Sequence, residues 1–442
     1  MSTAGTGVHF ARELRDICGV EHVVEDPAQL QGCQVLDVTP ALAVSPATAG
    51  EVAAVLRLAN QHGLSVVPAG GLARQRTGNV PAKIDILLRM SRLDQVGHYD
   101  AGDLTVGVGA GCSVAKLSSM VAADQLLFAA DPAFPEYATV GGLLATGISG
   151  PLRHGYGGLR DYCIGIHFVT GDGRQGKGGG RVVKNVAGYD LMKLLIGSWG
   201  TLAVITGASF KLFPAPRQTR SFVAEFATAA EAFRYRDLVL HSPLSPICLE
   251  LVSPEAQSLL PPDETAHPHW LLCIRAAGSD AVLARYRAEL GSAISREIDG
   301  EEDRGFWRAV ADFPYHLSSR YFRSLVISLS LPLRDVEHVL AYSMEVARSR
   351  RLRTSVIGRI GSGHLLIGFW SEISSPADPV AAVSALRDQL PANASLLVVG
   401  CWRGLQNQLP ALERTPTHME SMRGVKRALD PNNVLNRGRF FV

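Results

Sequence analysis

The chain has 442 residues, 47% of them apolar and 19% charged, and a formal net charge of +2. That balance excludes a disordered or fibrous chain, and the length exceeds what one small core requires, so two or three domains are expected. No basic run exceeds a few residues, which speaks against nucleic-acid binding.

In chain order, Ser45-Pro46-Ala47-Thr48 opens the first clear helix. Thr48 suits the N-cap, Glu51 stands at capping-box spacing, Val52, Val55, Leu56 and Ala59 form the apolar face, and Gly63 ends it. A strand is expected over residues 64–67, broken by Pro68-Ala69-Gly70-Gly71, with further strands over 84–88 and 104–108 and a helix near 114–123. Thr139 can cap a short helix beginning Val140-Gly141-Gly142, and Asp190 one over 191–196. Gly197 and Gly200 then turn the chain into a strand over 201–206.

The character changes after Leu212-Phe213-Pro214-Ala215-Pro216. A strand over 221–226, a helix over 229–240, strands over 247–252 and 270–274, and a helix over 280–290 are expected. A more polar stretch follows, and then the order repeats: strand 325–331, helix 334–347, strands 354–360 and 364–370, helix 378–390 and strand 395–399. Asp378 suits the N-cap of that last helix and Pro379 its first position. Two βαββαβ-like passes, without sequence repetition, predict ferredoxin-like halves sharing one sheet. The fold class is therefore α+β, with a domain over 1–216, a cap over 217–419, and a segment over 420–442 that returns to the first domain.

The seven cysteines have no CxxC pair and no metal-ligand spacing, which fits reduced thiols in a cytoplasm. No signal-peptide pattern opens the chain, and no run of about 18 uncharged apolar residues is present to span a bilayer.

Three segments read as backbone facing a ligand. The first, VVPAGGLARQRTGN (66–79), ends a strand in a glycine pair whose N–H groups can converge on an anion. Alone it fits an ordinary strand-to-loop turn equally well. It carries neither the GxGxxG of a dinucleotide fingerprint nor the GK[ST] of a P-loop. The second, residues 131–165, offers the Thr139-capped turn and the small residues Ala145, Thr146, Gly147, Ser149 and Gly150, over which a flat ring could lie. The third is KNVAGYDLMKLLIGSWGTLAVIT (184–206). Two glycine-built anion loops about seventy residues apart favour a diphosphate, and hence a dinucleotide cofactor.

On these motifs, above all KNVAGYDL followed by GSWGTLAVIT and the tail LDPNNVLNRGRF, the chain resembles the FAD-binding subunits of bacterial glycolate oxidases. These lie within the vanillyl-alcohol oxidase and p-cresol methylhydroxylase flavoprotein superfamily. The resemblance implies a two-subdomain FAD-binding domain and a cap over the flavin ring. It implies that the backbone of Ala69, Gly70, Gly71, Leu72 and Ala73 holds the pyrophosphate. Thr139, Gly142, Thr146, Ser149, Gly150 and Gly155 would line pyrophosphate and ring, Ile205 would meet the cofactor through its backbone, and Asn436 would reach it from the tail. Lys184 and Tyr189 would lie toward the ring. PAGGLA departs from the family in lacking its basic and hydroxyl residues. No His or Cys stands at a family attachment position, so FAD is expected to be non-covalent.

The resemblance also implies hydride transfer from a 2-hydroxy acid of the glycolate or D-lactate type to flavin N5. Electrons would pass to a sister FAD-linked 2-hydroxy acid dehydrogenase subunit and an iron–sulfur subunit. Such chemistry requires a cation for the carboxylate and a base for the hydroxyl proton. Arg359, Arg323 and Arg153 are the candidate clamps, with Arg359 first. The cap stretch GRIGSGHLLIG has one histidine, His364, where self-sufficient relatives carry a histidine-rich metal motif, and His267-Pro268-His269 has the wrong spacing. No metal site is expected. An alternative is a flavin-carrying relay or structural subunit with no substrate of its own.

Overall fold

Thr48 caps the helix Ala49–His62: its side chain accepts from the Glu51 N–H, Glu51 accepts in return from the Ala47 N–H, and Gly63 closes the helix at φ 63°. This helix belongs to the first of two units seen in the computed structural model, which describes residues 4–74, 77–181, 189–260, 268–321, 324–371, 377–401, 408 and 418–440. One unit comprises Met1–Ile148, Gly158–Ala215 and Arg414–Val442, and the other Ser149–Gly157 and Pro216–Glu413.

The strands of the first unit are β1 (Val23–Val24), β2 (Leu42–Val44), β3 (Val66–Ala69), β4 (Ile86–Arg89), β5 (Val96–Asp100), β6 (Thr105–Gly109), β7 (Leu126–Leu127), β8 (Cys163–Thr170), β9 (Gln175–Gly179), β10 (Ala203–Lys211) and β11 (Phe213–Pro214). They form a sheet of order β1-β2-β4-β3, in which β4 runs parallel to both β2 and β3, and an antiparallel sheet of order β5-β6-β10-β8-β9. Strands β7 and β11 pair separately. Val44, Val66 and Leu88 pack with Val52 and Leu56 of the capped helix, while Ile166, Phe168 and Phe210 of the second sheet pack with Val140 and Leu144. The chain ends in the helix Met419–Leu429 and a segment that lies parallel to β3, with Leu435 opposite Val66.

The second unit contains β12 (Gln218–Phe226), β13 (Cys248–Val252), β14 (Trp270–Gly278), β15 (Ile294–Asp299), β16 (Leu325–Ser330), β17 (Arg353–Arg359), β18 (His364–Trp370) and β19 (Ser395–Cys401). They make one sheet of order β15-β12-β14-β13-β17-β18-β16-β19. Within each half the order is fourth, first, third, second strand, the ferredoxin-like arrangement, and the halves join by antiparallel pairing of β13 with β17. Alternation along each strand splits the core. Val356, Leu365 and Ile367 pack in one cluster with Phe233, Leu283 and Leu340 from the helices, whereas Ile357 and Leu366 pack in another with Phe306, Trp307 and Phe313.

That second cluster rests on a 21-residue helix, Gly300–Arg320, which the sequence shows only as a polar stretch. Its acidic first turn and interior Pro314 mask an apolar stripe. The helix Ala4–Cys18 and the strands β5, β8 and β9 likewise have no counterpart among the expected elements, which keep their places with boundaries moved by a few residues. The helix expected from 334 begins at Val336 after a 3-10 turn, and the one expected from 378 begins at Ala377. No helix among the described residues is long and apolar enough to cross a membrane.

Candidate cofactor site

Two loops of the first unit meet backbone to backbone. A Cβ on Gly70 would stand 2.0 Å from Thr139 Oγ1, and one on Gly71 would stand 1.9 Å from the Tyr137 carbonyl oxygen. Only glycine permits this approach, so the loop after β3 and the loop before the helix Val140–Thr146 form one continuous surface. Leu72 follows at φ 62°, an uncommon conformation for a non-glycine residue. Thr139 caps the short helix by accepting from the Gly142 N–H at 3.2 Å, and the Thr146 hydroxyl donates back to the Gly142 carbonyl at 2.9 Å.

The third wall is the turn at 197–200. Gly197, Trp199 and Gly200 all have positive φ, and the Trp199 N–H donates to the Ala145 carbonyl at 2.7 Å, tying this turn to the short helix. The fourth wall is the returning tail, where Asn436 Nδ2 donates to the Trp199 carbonyl at 2.7 Å. Together they enclose a cleft of about 940 Å³, mouth included, within the ~300–1,000 Å³ typical of small-molecule sites.

Ala69, Gly70, Gly71, Leu72, Ala73, Thr139, Gly142, Thr146, Ile205 and Asn436 all line it. So do Arg74 and Arg439, which sequence reasoning missed. The basic groups absent from PAGGLA are thus supplied by the next residue of the loop and by the tail. Arg439 donates to the Thr77 carbonyl, and burial pulls it down to about 10. The NRGR of the tail was the available signal. Asn436 is buried, and its Oδ1 has no hydrogen-bond partner among the described residues. A glycine-bared loop and two arginines fit the diphosphate of a dinucleotide, and the waiting acceptor fits one of its N–H or hydroxyl donors.

Other residues expected at this site are not among its described lining residues. Ser149, Gly150 and Gly155 belong to the second unit. Gly155 donates to the Ile247 carbonyl at 3.1 Å, and a Cβ there would meet Ile247 Cα at 2.7 Å, so packing beside β13 explains this glycine. Tyr189 is 92% exposed and does not line the cleft. Lys184, Arg323 and His267 lie outside the described residues.

Arg359 closes β17 in the second unit and is 6% exposed. Its Nε donates to Glu250 Oε1 at 3.1 Å and its Nη1 to the Ser149 carbonyl at 2.6 Å. Glu250 is fully buried, which makes the pair a fixed anchor for the segment 149–157. Arg153 in that segment is exposed, with Nη1 3.4 Å from Ser149 Oγ. His364 stands opposite Arg359 across the β17–β18 hairpin, its ring nitrogens 3.4 Å from the hydroxyls of Ser328 and Ser330. Burial, and then the charges of Arg359 and Arg153, hold its pKa well below the ordinary value, so the ring is neutral.

Two family models match this chain, the FAD binding domain over residues 40–177 and the C-terminal domain of FAD linked oxidases over 405–440. The glycolate oxidase subunit GlcD of Bacillus subtilis (strain 168) is 23% identical over 424 residues, covering 91% of this chain and 89% of that protein. The glycolate oxidase subunit GlcE of Escherichia coli (strain K12) is 38% identical over 131 residues, 29% of this chain and 37% of that protein. The crystal structure of p-cresol methylhydroxylase with substrate bound superposes with a TM-score of 0.75 at 15% identity, covering 98% of this chain and 97% of that one. Segments of this chain thus match the FAD binding domain and the C-terminal domain of FAD linked oxidases, and its fold is that of the p-cresol methylhydroxylase structure.

Proposed function

We propose that this chain is the flavin-carrying subunit of a complex that oxidises 2-hydroxy acids of the glycolate or D-lactate type, and that it turns over only with its partners. The cleft built where Gly70 and Gly71 meet Tyr137 and Thr139 is the observation that carries the reading. FAD bound there would supply a two-electron acceptor for the hydride of the hydroxyl-bearing carbon. The backbone of residues 69–73, with Arg74 and Arg439, would hold the diphosphate, and Asn436 would accept a hydrogen bond from the cofactor. Attachment is non-covalent, a reading supported by the lack of His and Cys among the described residues lining the cleft.

At the reacting end we assign Arg359, with Lys184 and Tyr189. Glu250 and the Ser149 carbonyl fix the Arg359 guanidinium, so it would orient a carboxylate from a rigid position. Partner dependence is supported by the names of two relatives, both glycolate oxidase subunits, and by the single histidine of the stretch GRIGSGHLLIG. The expected partners are a sister FAD-linked 2-hydroxy acid dehydrogenase subunit and an iron–sulfur subunit, in the cytoplasm or docked at the inner membrane through them. A second reading, a relay or structural subunit without a substrate, is favoured by one observation: two of the three Arg359 nitrogens are already committed.

The test is anaerobic stopped-flow reduction of the flavin by glycolate and D-lactate, in the isolated chain and in the complex formed with its genomic neighbours. Slow or absent reduction alone and fast reduction in the complex is the expected result. Fast reduction by the isolated chain would overturn partner dependence. No reduction in either preparation would overturn the hydroxy-acid assignment and leave the relay reading.

A further inference from the structure

The first unit carries a second crevice that neither the cofactor nor the reading above uses. It begins one residue further along β10: Ile205 lines the cofactor cleft, and Thr206 lines the crevice. It holds about 830 Å³ of space, mouth included, over the face of β5, β6, β10 and β8.

Register explains why that face is bare. One cross-strand row reads Gly165, Ser209, Gly107, His98, and the next reads His167, Gly207, Gly109. Glycines therefore flank Ser209 on both neighbouring strands, and its Oγ lies 3.3 Å from where a Cβ of Gly107 would stand. The peptide planes are open to a flat ligand, and Leu93 and Val108 add apolar wall.

Two observations point to what enters. Thr206 and Ser209 are 7% and 8% exposed, and neither hydroxyl has a hydrogen-bond partner among the described residues. Both residues line the crevice, so their hydroxyls, uncommitted to protein partners, are free to donate to a ligand that enters it. The titratable side chains on the crevice are His98, His167 and Arg181, with no carboxylate among its described lining residues. The charge favours an anion, the hydroxyls favour an acceptor, and the glycine floor favours a flat or apolar body.

We propose that this crevice is a binding site for a small organic carboxylate. Arg181 at the rim supplies the positive charge, Thr206 and Ser209 donate to the carboxylate oxygens, and the carbon skeleton lies on the glycine floor. Since Ile205 and Thr206 border a break in the β10–β8 register, an occupant here adjoins the wall of the cofactor cleft.

The experiment is isothermal titration calorimetry of the FAD-loaded full chain with sodium benzoate, with inorganic phosphate in parallel. Saturable one-site binding of benzoate is expected, weakened about tenfold by Ser209→Ala or Thr206→Val and also by Arg181→Ala, as loss of a charged or neutral hydrogen bond implies. Ser209→Ala removes only a hydroxyl, and circular dichroism with flavin content checks that each variant is folded. Arg359→Ala, in the other unit, leaves this binding unchanged. The proposal is overturned if benzoate gives no saturable heat, if phosphate binds more tightly than benzoate, or if binding survives Ser209→Ala and Thr206→Val but is lost in Arg359→Ala.

Discussion

Lys426 and Asp430 stand one helical turn apart, Nζ 2.6 Å from Oδ2, and both are buried. Lys426 also donates to the carbonyls of Thr201, at 2.6 Å, and Leu435, while Asp430 accepts from the N–H groups of Val434 and Leu435 at 2.9 Å each. One ion pair thus fastens the tail to the turn behind Gly200 and sets Asn436 and Arg439 in the cleft beside Gly70 and Thr139. Burial draws the Lys426 pKa down while Asp430 draws it up, and the net direction is down.

Removing one partner of such a pair leaves a buried charge uncompensated, at a cost of about 3–5 kcal/mol. Asp430→Ala should therefore destabilise the protein by roughly that amount and empty the cleft of FAD. Lys426→Met should cost less, because Asp430 keeps two backbone donors. Urea unfolding and flavin content measure both effects, and equal stability of Asp430→Ala and the parent would contradict the clasp.

Gly71→Ala is expected to lose FAD. The new methyl cannot coexist with the Tyr137 carbonyl 1.9 Å away, and backbone rather than a flexible side chain must yield. Overpacking of this kind costs about 1–3 kcal/mol. Gly142→Ala meets only Thr139 Oγ1 at 3.1 Å and should keep more flavin. A fluorescence titration of apoprotein with FAD that ranks the two variants in the opposite order would refute the loop contact.

Flavin should leave the protein on acid precipitation. The described residues lining the cleft include no histidine or cysteine that could bond the ring. Yellow colour retained in the washed pellet would contradict this.

Acid should weaken the fold through His364 and His154. Burial lowers both pKa values from 6.5, and for His364 the charges of Arg359 and Arg153 lower it further. The unfolded chain then binds these protons first. The stability they contribute is complete above about pH 6.5 and is lost as pH falls through the folded-state values. Denaturant midpoints measured from pH 7.5 to pH 5 should fall, and less steeply in His364→Gln. An unchanged slope in that variant would remove His364 from the account.

Local chemistry decided much of this protein in the sequence itself. Thr48, Thr139 and Asp190 cap the helices their spacing suggested, Gly63, Gly197 and Gly200 take the positive φ expected of them, and the two βαββαβ passes make one eight-stranded sheet. Caps, turns and periodicity act over a few residues, so neighbours in the chain carry their signal. What only the tertiary structure decided is which polar groups are already used. Arg359 reaches the Ser149 carbonyl across 210 positions, and Lys426 reaches Thr201 across 225. Arg439 is brought to the cleft by a tail that pairs with β3, while Ser149–Gly157, contiguous with the cofactor loop in sequence, packs with the other unit. Such contacts have no short-range signature, because burial and hydrogen bonding between distant segments depend on the assembled sheets rather than on the conformational preferences of the residues themselves.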